Sequence, residues 1–107
     1  MTIETIESKL CQAIQARQQI IYTCTGGDHV PGEREGNPHI IHRTKNGYVM
    51  IHIWKMGGVS TDSSAPLPDW RSYHLSDIKL LSVGDQFDIE DTFNPDSKMY
   101  ADTICSV

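Results

Sequence analysis

The apolar residues near the N-terminus recur at the spacing of a helix. One face of a helix running from about residue 3 to residue 18 would carry Ile3, Ile6, Leu10, Ala13 and Ile14. Thr2 is the predicted N-cap, since a hydroxyl there can accept a hydrogen bond from the first free backbone N–H groups. The pattern therefore predicts an amphipathic helix that packs its apolar face onto the rest of the fold.

After this helix, the pattern changes to strands separated by turns. Residues 19–25 are rich in β-branched and aromatic side chains, which predicts a strand. A second strand is predicted at residues 34–43, which are entered through Pro31-Gly32 and contain Pro38, a residue that suits a strand edge or start. Asn46-Gly47 favours a two-residue hairpin turn, because both residues accept positive backbone angles. The third strand, residues 48–56, alternates with period two. This places Val49, Ile51 and Ile53 on the core face, and Tyr48, Met50, His52 and Trp54 on the opposite face.

The second half of the chain predicts two further strands, at residues 70–75 and 78–89. They follow a Gly-, Ser- and Pro-rich loop at 57–69, and a loop of this length in a small domain is usually functional. From Glu90 to residue 107 an irregular acidic tail is expected. The fold class predicted is mainly β with one N-terminal helix, as a small five-stranded barrel capped by that helix.

Composition and charge narrow the classes of function. A chain of 107 residues fits one domain, residues 1–107, and its net charge of −5 disfavours general binding to duplex nucleic acid. No apolar run reaches the ~20 residues that span a bilayer, and no signal peptide is recognisable, so a cytoplasmic location is expected. Cys11, Cys24 and Cys105 are an odd number without a CxxC pair, which predicts reduced thiols.

Three blocks of sequence, in order and at matching spacing, resemble the small stand-alone members of the WYL-domain family. The blocks are residues 38–41 (PHII), 47–54 (GYVMIHIW) and 70–78 (WRSYHLSDI). Glu33-Arg34 followed by the first block is similar to the family's "R…EPH" pattern, and the third block is similar to "WRLFRLDRI". Residues 52–58 (HIWKMGG), which begin within the second block, resemble "RAYQTGG". The resemblance covers roughly residues 6–99. It implies an SH3-like (Sm-like) barrel whose arginine-bearing groove senses anionic ligands.

The resemblance also implies a set of ligand-binding residues. Arg71 matches the first arginine of the third block, whereas His74 and His52 stand where the family carries arginine, and Asp77 replaces another basic position. The predicted ligand-binding set is Arg71, His74, His52, Trp54, Arg34 and Tyr73. Neutral imidazoles offer fewer donors than guanidinium groups do, so one interpretation is an anion site that is positive only in mild acid. The alternative is that both histidines are partly buried and bonded to backbone.

Other chemistries find less support in the sequence. His39 and His42 are three apart on a strand, which predicts side chains on opposite faces and argues against a metal site. Cys24 has no motif-placed base and is expected to be a small buried residue. No catalytic motif is present, so an enzyme is not predicted and no cofactor is expected. The aromatic residues Tyr48, Trp54, Trp70 and Tyr73 could stack nucleobases or pack internally.

The sequence thus predicts a non-enzymatic ligand-sensing or regulatory domain. Its ligand would be a small anion, a nucleotide or a short single-stranded nucleic acid, held in a groove between the third and fourth strands and the 57–69 loop. The alternative is a protein-interaction module that uses its acidic surface and binds no small ligand. Convergence of Arg34, Arg71 and the two histidines favours the first, and neutralisation by Asp69 and Asp77 favours the second. An exposed strand edge also leaves a homodimer open.

Overall fold

A computed structural model describes residues 5–26, 29–60 and 64–107 of the chain. These residues form one α-helix, six β-strands and a short 3-10 helix. The elements are α1 (Ile6–Gln15), β1 (Gln18–Cys24), β2 (Arg34–Arg43), β3 (Val49–Gly58), β4 (Asp69–His74), a 3-10 helix (Leu75–Asp77), β5 (Ile78–Gln86) and β6 (Asp102–Ser106). The predicted class, mainly β with one N-terminal helix, is confirmed.

The strands form one antiparallel sheet in the order β4-β3-β2-β1-β5, and β6 pairs with β2. Five strands and a wholly irregular acidic tail at 90–107 were expected, and both expectations are wrong. The reason lies in the length of β2: β1 pairs only with Arg34–Gly36, which leaves the edge of Ile40–Arg43 open for β6. Because β4 and β5 do not pair with each other among the described residues, the sheet is not closed.

Local sequence explains most of the sheet. Gly47 has a φ of +85°, and the turn is closed by the Gly47 N–H, which donates to the Thr44 carbonyl oxygen. The alternation predicted for β3 is confirmed, since Ile51 and Ile53 are fully buried and His52 lies on the other face. The core between α1 and the inner face of the sheet joins these isoleucines to helix and strand residues, including Leu10, Ile14, Ile20, Tyr22 and Ile41.

The helix starts later than the sequence predicted, and its cap is different. Thr5 has extended backbone and its side chain accepts a hydrogen bond from the Ser8 N–H at 3.1 Å, so Thr5 is the N-cap and the assignment of Thr2 is wrong. Thr2 itself lies outside the described residues. The helix buries Leu10 and Ile14 against the sheet. No helix among the described residues is long and apolar enough to cross a membrane.

The cysteines also differ from expectation. Cys11 of α1 and Cys105 of β6 form a disulfide across a Cα–Cα distance of 5.8 Å, and Cys24 is the free, buried thiol. The expectation of three reduced thiols is therefore wrong. Spacing could not predict the pair, because 94 residues separate the two cysteines and only the packing of α1 on β6 brings them together.

Candidate functional site

The register of β3 against β4 divides the predicted ligand-binding residues between two faces of the sheet. Arg71 and Tyr73 pair with Ile53 and Ile51, so they lie on the inner, core-facing side. His52 and Trp54 lie on the outer side, where Trp54 pairs with Trp70. The predicted set therefore does not form one groove.

On the inner side, three basic side chains lie together at one end of the core. We call Arg34, Lys55 and Arg71 the cationic cluster. Arg34 and Lys55 are each 1% exposed, whereas the Arg71 side chain is 23% exposed and forms the outer member. Arg34 Nε donates to the Val59 carbonyl oxygen at 3.1 Å, and Lys55 Nζ donates to the same oxygen. The cluster thus lies directly beneath the start of the 57–69 loop.

The pKa of Lys55 is shifted by its surroundings. Burial, with smaller contributions from the charges of Arg34 and Arg71, lowers its pKa to about 8. Its hydrogen-bond acceptors among the described residues are both neutral, the Val59 carbonyl oxygen and the Ser60 hydroxyl. An ammonium buried beside two guanidinium groups is costly unless an anion compensates it.

Two phenols and a thiol adjoin the cluster, and all three are neutral polar groups. The Tyr22 hydroxyl donates to the Tyr73 hydroxyl at 3.1 Å, and burial raises the pKa of both phenols. The Cys24 thiol is 5% exposed, and burial raises its pKa even though the charge of Arg34 acts in the opposite direction. None of these groups is activated as a nucleophile, since activation requires a lowered pKa.

Carboxylates reach only the rim of this region among the described residues. Arg71 Nη1 lies 3.2 Å from Asp69 Oδ2, and Arg71 Nη2 is buried without a hydrogen-bond partner among those residues. A hydrogen bond from the Trp70 N–H, followed by the contact with Arg71, lowers the pKa of Asp69. Asp77 pairs with His29 at 3.3 Å. Asp69 therefore compensates part of the charge of one arginine at the surface, and within the described part of the chain one nitrogen of that guanidinium keeps an unused donor.

The outer face of the sheet is covered by residues 87–101, which connect β5 to β6 and which we call the C-terminal strap. Phe93 of the strap stacks near His39 and Trp70, with ring centroids 5.2 and 5.9 Å apart. The Tyr100 hydroxyl lies 2.7 Å from His52 Nδ1. His52 is therefore held under the strap, and burial lowers its pKa to about 4. It carries no positive charge for an anion at neutral pH.

His39 and His42 both lie beneath the strap, so their predicted placement on opposite faces is wrong. The physical reason is a register shift between Pro38 and Ile40, which leaves His39 out of the pairing with β3 and changes the alternation. Both rings are buried, at 0% and 1% exposure. Within ranges 5–26, 29–60 and 64–107, no three metal-ligating side chains are arranged to hold an ion.

His74, the remaining member of the predicted set, lies apart from both groups. Its ring packs edge-to-face on exposed Tyr48, with centroids 5.4 Å apart. The two residues line an open groove of about 690 Å³ against the first turn of α1, formed with Thr5 and Leu75. A second groove of about 440 Å³ adjoins the cationic cluster and is lined by Val59, Ser60 and apolar side chains.

Sequence reasoning missed Lys55, although the signal was present. Continuing the inward set Val49, Ile51 and Ile53 by two residues reaches Lys55, so the same alternation predicts an inward lysine. Of the predicted set, the structure brings Arg34, Arg71 and Tyr73 into one region. His52, Trp54 and His74 are elsewhere.

Comparisons with protein-family models, with curated proteins and with solved structures each found no match. The resemblance to the WYL-domain family thus has no support beyond the residues that suggested it, and it remains a prediction.

Proposed function

We propose that this protein is a non-enzymatic ligand-binding domain that takes a small anion at the cationic cluster. The observation that carries the proposal is Lys55: the residue is 1% exposed, and its ammonium bonds to neutral acceptors among the described residues and lies beside two arginines. Strongly perturbed charges clustered under a loop are characteristic of functional sites. A bound anion would compensate the positive charge of Lys55, raise its pKa and remove the cost of keeping the ammonium buried.

The geometry also selects among the anions that the sequence suggested. A single phosphate or carboxylate suits the site, because Arg34 and Lys55 are buried and only Arg71 reaches the surface. Trp54 and Trp70, which could stack nucleobases, lie on the opposite face of the sheet. We therefore rank inorganic phosphate and a mononucleotide, bound through its phosphate, above a single-stranded nucleic acid.

The proposal includes the finer fold, an SH3-like (Sm-like) barrel of the WYL type. The support for a barrel is the antiparallel pairing of β5 with β1, which places the fifth strand beside the first and curves the sheet around the core. In that arrangement Val59 and Ser60, which follow β3, and β4 border the cationic cluster, as the resemblance to the family would require.

One observation favours the alternative, a protein-interaction module. Asp69 pairs with Arg71, so some of the surface charge of the cluster is neutralised within the chain, and the Asp77 carboxylate is held by a contact with His29. These contacts leave Lys55 uncompensated by either aspartate, and we therefore place the anion site first.

Thermal unfolding in the presence of defined anions tests the proposal. Inorganic phosphate, AMP and a short oligothymidylate would be added separately at pH 7 and low ionic strength. At a concentration about a hundredfold above Kd, a ligand that binds only the folded state adds about 2.7 kcal/mol of stability. We expect phosphate and AMP to raise Tm in the wild type, and to have no effect on K55M or R71M.

The matched control is K79M, which removes the same charge from an exposed position on β5 and should retain the full response. Asp62 lies outside the described residues, and D62N tests whether the chain provides its own counter-ion. A phosphate response in D62N that is absent from the wild type would refute the proposal. So would a response of equal size in wild type, K55M and K79M, because that would be a general salt effect.

A further inference from the structure

The C-terminal strap is bonded to the sheet through His39, whose protonation state follows from its two hydrogen bonds. His39 Nδ1 lies 2.8 Å from the carbonyl oxygen of Asn37, which can only accept a hydrogen bond, so Nδ1 carries the proton. The backbone N–H of Glu90, in the strap, donates to His39 Nε2 at 3.0 Å. Only the neutral ring with its proton on Nδ1 satisfies both contacts.

Protonation of His39 would break its bond to the strap. A proton on Nε2 would turn the acceptor into a donor and place it against the N–H of Glu90 at 3.0 Å. The backbone N–H of Glu90 would then lose its partner, and the His39 ring would carry a charge at 0% exposure. Both changes oppose the closed position of the strap.

Two further imidazoles lie under the same cover. His42 is 1% exposed, packs on the Tyr100 ring at 4.6 Å and has neither nitrogen hydrogen-bonded among the described residues. His52 contacts the Tyr100 hydroxyl. The pKa of His52 is lowered first by burial and then by the charges that His42 and His39 would carry, so protonation of one ring opposes protonation of the next.

The charged and titratable groups around the histidines do not offset their burial. The charge of Glu90, in the strap, acts to raise the pKa of His39. Burial has the larger effect, so the pKa of His39 is lowered overall. From β2, the backbone of Arg43 acts to raise the pKa of His42, although it does not reach hydrogen-bond geometry. Burial outweighs this contribution, so the pKa of His42 is also lowered. Arg43 and Asp102 of β6 pair with each other at 3.7 Å, and β4 presents the Trp70 ring.

The strap is anchored at both ends by contacts that do not depend on these histidines. The Phe87 N–H donates to the Arg17 carbonyl oxygen at 2.7 Å at one end. At the other end, β6 is held by its pairing with β2 and by the disulfide from Cys105 to α1. Residues between these anchors can therefore leave the sheet as a closed loop while the core behind it remains folded.

We propose that the C-terminal strap is an acid-released cover: protonation of His39, His42 and His52 detaches residues 88–101 from the outer face of the sheet before the protein unfolds, while the anchor at Phe87 stays in place. Release exposes Trp54 and Trp70 and leaves an aromatic surface bearing imidazolium groups.

Hydrogen exchange and tryptophan fluorescence between pH 8 and pH 4 test the proposal. We expect the amides of the strap to lose at least tenfold of their protection as pH falls below about 6, while the amides of β1 and β2 stay protected. Tryptophan emission should shift to longer wavelength over the same range, because Trp70 loses Phe93 and the Thr92 hydroxyl that bonds its indole N–H. Simultaneous loss of protection in the strap and in the core would overturn the proposal, since that is global acid unfolding.

Two variants and one control make the test specific. H42F keeps an aromatic ring and removes one titrating group, so release should move to lower pH; Y100F removes the contact with His52, so release should move to higher pH. H74Q removes an exposed histidine away from the strap and should leave the transition unchanged. If H42F does not fold, the proposal is tested by the Y100F variant and by hydrogen exchange of the wild type. Equal transitions in wild type and Y100F would refute the assignment to these histidines.

Discussion

The substitution K55M provides a quantitative check on the cationic cluster, because Lys55 is expected to reduce stability in the absence of an anion. Its pKa of about 8 in the folded state lies below the ordinary value of 10.5. The unfolded chain therefore binds the proton more tightly, and the charge on Lys55 destabilises the fold at pH values below 8. The cost disappears as pH rises towards 10.5.

The change in stability expected for K55M follows from the pKa shift of Lys55 and from the hydrogen bonds that its ammonium group makes. The shift corresponds to about 3 kcal/mol at pH 7, since each pH unit is worth about 1.4 kcal/mol. Against this, K55M loses two hydrogen bonds, worth about 1 kcal/mol each. The Val59 carbonyl oxygen keeps its bond from Arg34 Nε, so it is not left unsatisfied. At pH 7 we expect K55M to be more stable than the wild type by about 1 kcal/mol.

The assay is urea unfolding of wild type, K55M and K79M at pH 7, 8, 9 and 10, with chloride as the sole small anion. The hydrogen bonds and packing lost in K55M do not depend on pH, whereas the charge cost does. The difference in unfolding free energy between K55M and wild type should therefore change by about 2 to 3 kcal/mol from pH 7 to pH 10, reversing its sign. K79M corrects for net charge. A difference that stays constant within about 1 kcal/mol would refute the reasoning.

Three further predictions concern the framework. Replacing Cys11 and Cys105 by serine removes a cross-link between residues 94 apart, and the chain-entropy treatment predicts a loss of about 4 to 5 kcal/mol in urea unfolding; a loss below about 1 kcal/mol would contradict it. G58A should cost about 2 kcal/mol or more of unfolding free energy, because φ is +90° and the added Cβ would clash with the backbone of Glu33 and Arg34. G47A, with φ of +85° and open space around the Cβ, should cost about 1 kcal/mol. Equal losses in the two variants would rule out the clash. I53A should cost about 2 to 5 kcal/mol as a cavity at 0% exposure, and thermal unfolding with a Tm within about 2 °C of wild type would argue against that burial.

The local pattern of the chain was sufficient for the features that depend on neighbouring residues. The bounds of β2, Arg34–Arg43, agree with the prediction, because the segment lies between the Pro31-Gly32 and Asn46-Gly47 turn signals. The inward set of β3 also agrees, since period-two alternation follows from the pleat of any strand. Even Lys55 was within reach of that alternation, although charged residues are seldom expected inside.

Long-range packing decided the rest, for reasons that spacing along the chain does not contain. The bond between Cys11 and Cys105 depends on the contact of α1 with β6, and β6 exists as a strand only because β1 leaves part of the edge of β2 open. The bulge at His39 placed on one face two histidines that alternation predicts on opposite faces.

The candidate site shows the same division. Sequence similarity suggested a set of residues, and alternation alone could have separated Arg71 and Tyr73 from Trp54 once the pairing of β3 with β4 was known. That pairing, and the burial of Lys55 beside Arg34 under the Val59 carbonyl oxygen, depend on contacts between distant segments. The sequence by itself determined which residues could face inward, because the pleat is local. Only the tertiary structure decided which inward charges meet, because pKa values and charge compensation depend on what surrounds each group in space.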